Sequence, residues 1–190
     1  MKPRYLLSLA VLLLTLFAVI LSIVLGSLVQ YSSQTEFCIS CHEMRTTVYE
    51  EYKKTRHYQN TSGVRAGCAD CHIPHDWTTT LWRKLLAVKD VYHHLLGTID
   101  TEEKFEARRK IMAERVWENM QANNSRECRN CHDFSAMIIS EQRKRAGKQH
   151  NQAQQDGDTC IDCHKGIAHK AVHETELKQE DADEEIQLDF

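Results

Sequence analysis

Eight cysteines fall at positions 38, 41, 68, 71, 128, 131, 160 and 163 of this 190-residue chain, as four C-x-x-C pairs. Each pair is followed at once by a histidine: His42, His72, His132 and His164. C-x-x-C-H is the attachment signature of c-type haem, in which two thiols add to the porphyrin vinyl groups and the adjacent histidine can ligate the iron. Four C-x-x-C pairs could also build two zinc sites or act in thiol redox chemistry, but neither needs histidine in the same place four times. A disulfide scaffold would use two-residue spacing throughout, which suits structural bridges poorly. The residues that attach haem are therefore Cys38, Cys41, Cys68, Cys71, Cys128, Cys131, Cys160 and Cys163, giving four covalently bound haem c groups.

Composition supports this reading. From Leu6 to Val29 run 24 residues without a charge, which as a helix reach roughly 36 Å and span a bilayer's hydrocarbon core. The mean hydropathy is still −0.52, so the remainder has few aliphatic side chains with which to build a core. Four haems would supply one. The run is longer than a signal-peptide h-region, and Leu28, Val29, Gln30 and Tyr31 make a poor cleavage site, so it reads as an uncleaved anchor. Lys2 and Arg4 before it place residues 1–5 in the cytoplasm and the rest outside. Beyond the anchor lie all 27 acids and all but two of the 24 Lys and Arg, a net charge of about −5 that excludes a nucleic-acid-binding balance.

The expected architecture is mainly α: a transmembrane anchor over 6–29, then a loop-rich tetrahaem domain over 30–172. Cys38 to Cys68 is 30 residues and Cys128 to Cys160 is 32, whereas Cys68 to Cys128 is 60. This spacing suggests two di-haem modules, about 38–75 and 128–170, joined by a helical insert over 76–123. In the insert, "HDWTTTLWRKLLAVKDVYHHLLG" predicts a helix begun by Asp76 and stopped near Gly97, with Leu81, Leu85, Val88, Tyr92 and Leu96 on one face. That face could pack on a haem, or lie near the membrane and help form a pocket for a lipid-soluble molecule. A second helix should start at Asp100 and Glu103, with Phe105, Met112, Val116 and Met120 as its core stripe. The segment 173–190 carries eight acids against one lysine from Glu174 onward and should be a solvated, disordered tail.

A low-spin haem needs two axial ligands, and seven histidines remain beyond the motifs: His57, His75, His93, His94, His150, His169 and His173. The residue types alone do not pair them. The first motif stands apart, because only there does a methionine follow two residues after the histidine. Either His42 or Met44 could take that iron, thioether being a haem ligand that raises the reduction potential.

The anchor together with "FCISCHEM", "SGVRAGCADCHIPHDW", "KLLAVKDVY", "ECRNCH" and "TCIDCHKGIAH" resembles the NapC/NirT family of membrane-anchored tetrahaem cytochromes c over residues 1 to 170. The resemblance is nearest to the branch serving periplasmic nitrate reductase. It implies a protein of the bacterial inner membrane, single-pass, with its haem domain in the periplasm. Such a protein oxidises membrane quinol, menaquinol or ubiquinol, and passes electrons singly to a periplasmic reductase, here nitrate reductase. It further implies Met44 in preference to His42 at the first haem, His72, His132 and His164 as proximal ligands, His169 as distal ligand of the second haem, His57 of the third and His150 of the fourth. Lys84 and Asp90 match residues lining a quinol pocket, where a lysine can hydrogen-bond a quinol oxygen and a carboxylate can accept a proton. Six helical residues set the two about 120° apart, so both reach one quinol only if the pocket wraps the helix.

A tethered relay fed by another membrane complex, with no quinol site, is the alternative function. A terminal reductase acting on nitrite lacks a dedicated substrate-binding cluster beside any motif.

Overall fold

A computed structural model of the chain describes residues 3–172; the acidic tail expected over 173–190 lies outside the described residues, as do residues 1 and 2. The first helix, α1 (Pro3–Tyr31), has 29 residues and buries none of them, a length of about 43 Å. Its hydroxyls turn back on its own backbone: Ser8 donates to the Arg4 carbonyl, Thr15 to Leu12 and Ser22 to Ala18, at 2.8 to 3.0 Å. In lipid each polar group must find its partner within the segment, and these do.

Among the described residues there is no strand. Short helices carry the cysteine motifs: α2 (Thr35–Cys38), α3 (His42–Thr46), α4 (Val48–Tyr52) and α5 (Cys68–His72), then two long ones, α6 (Trp77–Leu95) and α7 (Glu102–Ala122), followed by α8 (Arg126–Arg129), α9 (Lys144–Asp156) and α10 (Cys160–Cys163). Two 3₁₀ turns, Phe134–Ala136 and Ile139–Glu141, separate α8 from α9.

The predicted helix after Asp76 is α6, with the Asp76 side chain accepting from the Thr79 N–H. Its apolar stripe does not face inward. Leu85, Val88, Tyr92 and Leu96 are 58–65% exposed and only Leu81 of the stripe is half-buried, while Thr80 is buried, Ala87 and His94 are half-buried on the opposite side, and half-buried Lys84 borders the stripe. The second helix starts one residue later than expected: Thr101, not Asp100, is the N-cap and accepts from Lys104 N. Asp100 is drawn instead into an ion pair with Lys104 at 2.6 Å. Phe105 is buried and Met112, Val116 and Met120 are half-buried, as a core stripe requires.

Only Tyr52, Phe105 and Ile161 are buried hydrophobic residues among those described. Polar contacts hold the elements instead. Arg109, 6% exposed, grips Glu51 through two nitrogens at 2.6 and 3.0 Å and Glu106 at 2.6 Å. Glu51 also accepts from the Lys170 N–H at 3.0 Å, tying α4, α7 and the chain's last described turn together. Ser125, fully buried at φ 49°, accepts from Ile161 N at 3.1 Å and fastens α10 to the end of α7.

Two separate di-haem modules are not seen. α5 of the first packs on α8 of the second, and each segment sends a histidine across to the other.

Candidate functional site

In a helix a C-x-x-C pair spans about one turn, which puts both thiols on the same side of the chain. In the third and fourth motifs the histidine N–H returns to the carbonyl of the first cysteine, His132 to Cys128 and His164 to Cys160, both at 2.9 Å. The second motif is one continuous helix, α5. The first is broken: Cys38 closes α2, Cys41 is extended at φ −74° and ψ 131°, and His42 opens α3. Among the described residues all eight thiols are free of disulfides. Cys38 and Cys68 adjoin each other, both lining one cavity. Cys71 lies within electrostatic range of Cys128, and Cys128 of Cys160. The four motifs therefore form one connected row.

Histidines face one another in pairs. His72 and His169 have ring centroids 6.2 Å apart, His57 and His132 6.1 Å, and His150 and His164 6.0 Å. An imidazole nitrogen bonds a first-row metal at ~2.0–2.1 Å, so two rings on opposite sides of one metal have centroids roughly 6 Å apart. The spacing fits a haem iron between each pair. Burial holds His72 down at about 4, and burial likewise lowers His169 and His57, which keeps these imidazoles neutral and able to donate to a metal. Gln142 holds Nδ1 of His150 at 2.5 Å, leaving Nε2 for a ligand. Between α2, α4, α5 and the 168–169 turn lies an apolar cavity of about 500 Å³ including its open mouth, lined by Cys38, Met44, Tyr52, Cys68, His72 and His169 among others. Thiols, paired imidazole rings and apolar walls are the donor set that haem c requires.

His42 and His94 also stand 6.0 Å apart, yet a carboxylate occupies the space. The buried Glu43 side chain accepts from Nδ1 of His94, and its other oxygen lies 3.5 Å from Nδ1 of His42. Nε2 of His42 donates to the Asp100 carbonyl at 2.9 Å. Met44 points into the cavity beside Cys38 instead. Cys41, Glu43 and His94 have ligand atoms within 4.8 Å of one another, but a thiol used for haem attachment is not available to a separate ion.

Lys84 is half-buried within range of the Cys38 thiol, and burial lowers its pKa while that thiol opposes the shift. Asp90, six residues on along α6, is exposed. Neither lines the apolar cavity. His75 faces Asp70 at 3.8 Å, and His93 faces Thr98 and Tyr92. His94 is the residue that sequence reasoning passed over. Its partner Glu43 lies 51 positions away, and nothing in a periodic pattern joins them.

The sequence profile described as the NapC/NirT cytochrome c family, N-terminal region, matches residues 1–174. The chain belongs to that family. It is 58% identical over 135 residues to the cytochrome c-type protein NapC of Escherichia coli strain K12, covering 71% of this chain and 68% of the relative. It is 54% identical over 141 residues to a putative tetraheme cytochrome c of Allochromatium vinosum, covering 74% and 76%. A denitrification system component, NirT of Stutzerimonas stutzeri, is 57% identical over 133 residues, covering 70% and 66%. No solved structure shows a significant match. This NapC/NirT cytochrome thus carries covalently bound haem c and transfers electrons, and its one N-terminal apolar helix fits a single-pass membrane anchor.

Proposed function

We propose that this NapC/NirT cytochrome oxidises membrane quinol beside α6 and delivers the electrons to a periplasmic reductase, most directly a nitrate reductase. The observation that carries the reading is the outward apolar face of α6. α1 ends at Tyr31 and the first motif begins seven residues later at Cys38. Lys84 of α6 lies near that thiol. The exposed Trp82, Leu85, Leu86 and Val88 of the same helix thus sit just beyond the anchor, where lipid and a lipid-soluble quinol meet the first haem.

Four haems, when bound to the eight cysteines, take up and pass on electrons one at a time. The chain's own residues do the rest. Lys84, kept from full hydration, donates a hydrogen bond to a quinol oxygen, and Asp90, open to water, accepts a released proton and returns it to the periplasm. His72 with His169, His57 with His132 and His150 with His164 would hold three irons between paired imidazoles, and Met44 would serve the first. Because the NirT relative is a denitrification system component, the nitrate reductase is the finer part of the proposal, and another reductase of denitrification is its neighbour.

Lys84→Met removes a hydrogen bond made by a charged donor and should slow quinol oxidation roughly ten- to a hundredfold. Asp90→Asn should lower it by about a hundredfold. Stopped-flow reduction of the purified full-length protein by a short-chain quinol measures both. A relay without a quinol site predicts that neither variant changes turnover.

A further inference from the structure

We propose that His94, Glu43 and the Asp100 carbonyl form a clamp that holds His42 away from the first iron and so leaves that iron to Met44. The inference rests on the reading that Met44 is the ligand there. It explains why one C-x-x-C-H word among four should not use its histidine.

Three independent observations support the clamp. The first is local backbone. In the third and fourth motifs the histidine N–H closes a turn onto the first cysteine, so His132 and His164 continue the helical turn of their own thiols. In the first motif this turn is interrupted by the extended Cys41, and His42 starts a new helix.

The second is the state of the ring itself. Iron ligation in the other motifs would use Nε2, and no hydrogen bond among the described residues engages His72, His132 or His164 through a ring nitrogen. At His42 that nitrogen is spent on the Asp100 carbonyl at 2.9 Å. The loop that presents this carbonyl is fixed at both ends. Gly97 turns with φ 60°, and any Cβ there would meet an Asp100 carboxylate oxygen at 2.8 Å. Lys104 then binds both the Gly97 carbonyl, at 3.0 Å, and the Asp100 side chain, at 2.6 Å.

The third is Glu43, whose side chain is only 3% exposed and whose Oε2 has no hydrogen-bond partner. A buried carboxylate needs compensation. His94 supplies it from α6 by donating through Nδ1, and His42 lies within 3.5 Å on the other side. His42 swinging to the iron would break its Nε2–H bond to the Asp100 carbonyl and take its ring away from Glu43. Met44, two residues on, is held by neither contact and lines, with Cys38, the cavity between the first motif and the second motif's Cys68, Cys71 and His72. His94 and Glu43 are thus positioning residues, and α6, which we place at the quinol, also sets the ligand of the haem beside it.

The test reads ligation in the oxidised, purified full-length protein with no quinol present. EPR and near-infrared magnetic circular dichroism distinguish thioether from imidazole ligation, and haem content by mass confirms four haems in each variant. His94→Ala should convert the first haem in part from thioether to imidazole ligation and lower its potential, since methionine ligation raises it. Met44→Leu alone should lose the thioether signature without gaining an imidazole one, whereas Met44→Leu combined with His94→Ala should gain it. If Met44→Leu alters the first haem but His94→Ala and the combined variant add no imidazole ligation, the clamp is overturned and the Met44 assignment stands. If Met44→Leu leaves every haem unchanged, both are overturned. Quinol oxidation is judged separately, because none of these spectra involves a quinol.

Discussion

Arg109 shows at the scale of one residue how this chain holds its shape with so few buried hydrophobic side chains. Its guanidinium is buried against Glu51 and Glu106, and Glu51 in turn accepts from the backbone that follows His169. Arg109→Met should therefore destabilise the domain by about 2–3 kcal/mol, somewhat less than a fully buried pair costs, because both carboxylates keep some contact with water. Thermal unfolding followed by far-UV circular dichroism measures it. Burial works to raise the Glu51 carboxyl, but Arg109 and the Lys170 N–H outweigh it and hold it below its ordinary 4.5. A depressed carboxylate contributes stability that is complete above that ordinary value and is lost as pH falls through the depressed one. Stability should thus decline from about pH 4.5 downward, and Glu51→Gln should flatten that slope while lowering stability at neutral pH. An unchanged acid limb in Glu51→Gln would refute the assignment. The residues that hold haem were the most legible part of the sequence, because a covalent signature fixes both residue type and spacing. The pairings His57 with His132 and His72 with His169 were reached through family resemblance. Spacing alone could not supply them, since they join segments 75 and 97 positions apart.

At the scale of elements, α6 is where pattern and packing part company. Its periodicity announced a helix and its cap, Asp76, correctly, because both are local. Which way the stripe faces is not local. The helix turns Thr80, Lys84, Ala87 and His94 toward the domain and leaves Leu85, Val88 and Tyr92 outside, an arrangement that water alone would not favour and lipid would. Leu85→Glu with Val88→Glu should leave four haems in place and lower the rate with quinol at least tenfold, while the rate with a water-soluble chemical reductant stays the same. A loss of both rates would mean that the stripe serves folding. The start of α7 was misjudged for a related reason. Asp100 is a good N-cap by type, but its backbone is committed to the turn against His42 and its side chain to Lys104, so the cap passes to Thr101.

The whole molecule is a single interlocked row of four motifs at the foot of one membrane helix. Cysteine spacing suggested two di-haem modules, but the histidines cross between them, and α5 and α8 pack together. Spacing along a chain records which residues share a segment; it does not record which segments exchange ligands. Replacing Cys68 and Cys71 by serine should accordingly do more than remove one haem. It should free the 168–170 turn, loosen the Glu51–Arg109 contact and increase protease cleavage near both ends of the domain, detectable by limited proteolysis with mass spectrometry. Cleavage confined to residues near 68–75 would favour independent modules. The account as a whole is tested most directly by mixing the oxidised full-length protein with excess quinol and following its haem absorbance. It predicts that quinol reduces the haems, and that the same protein lacking α1 is reduced by dithionite but hardly by quinol. Haems of the full-length protein that stay oxidised with quinol, while dithionite reduces all of them, would contradict it.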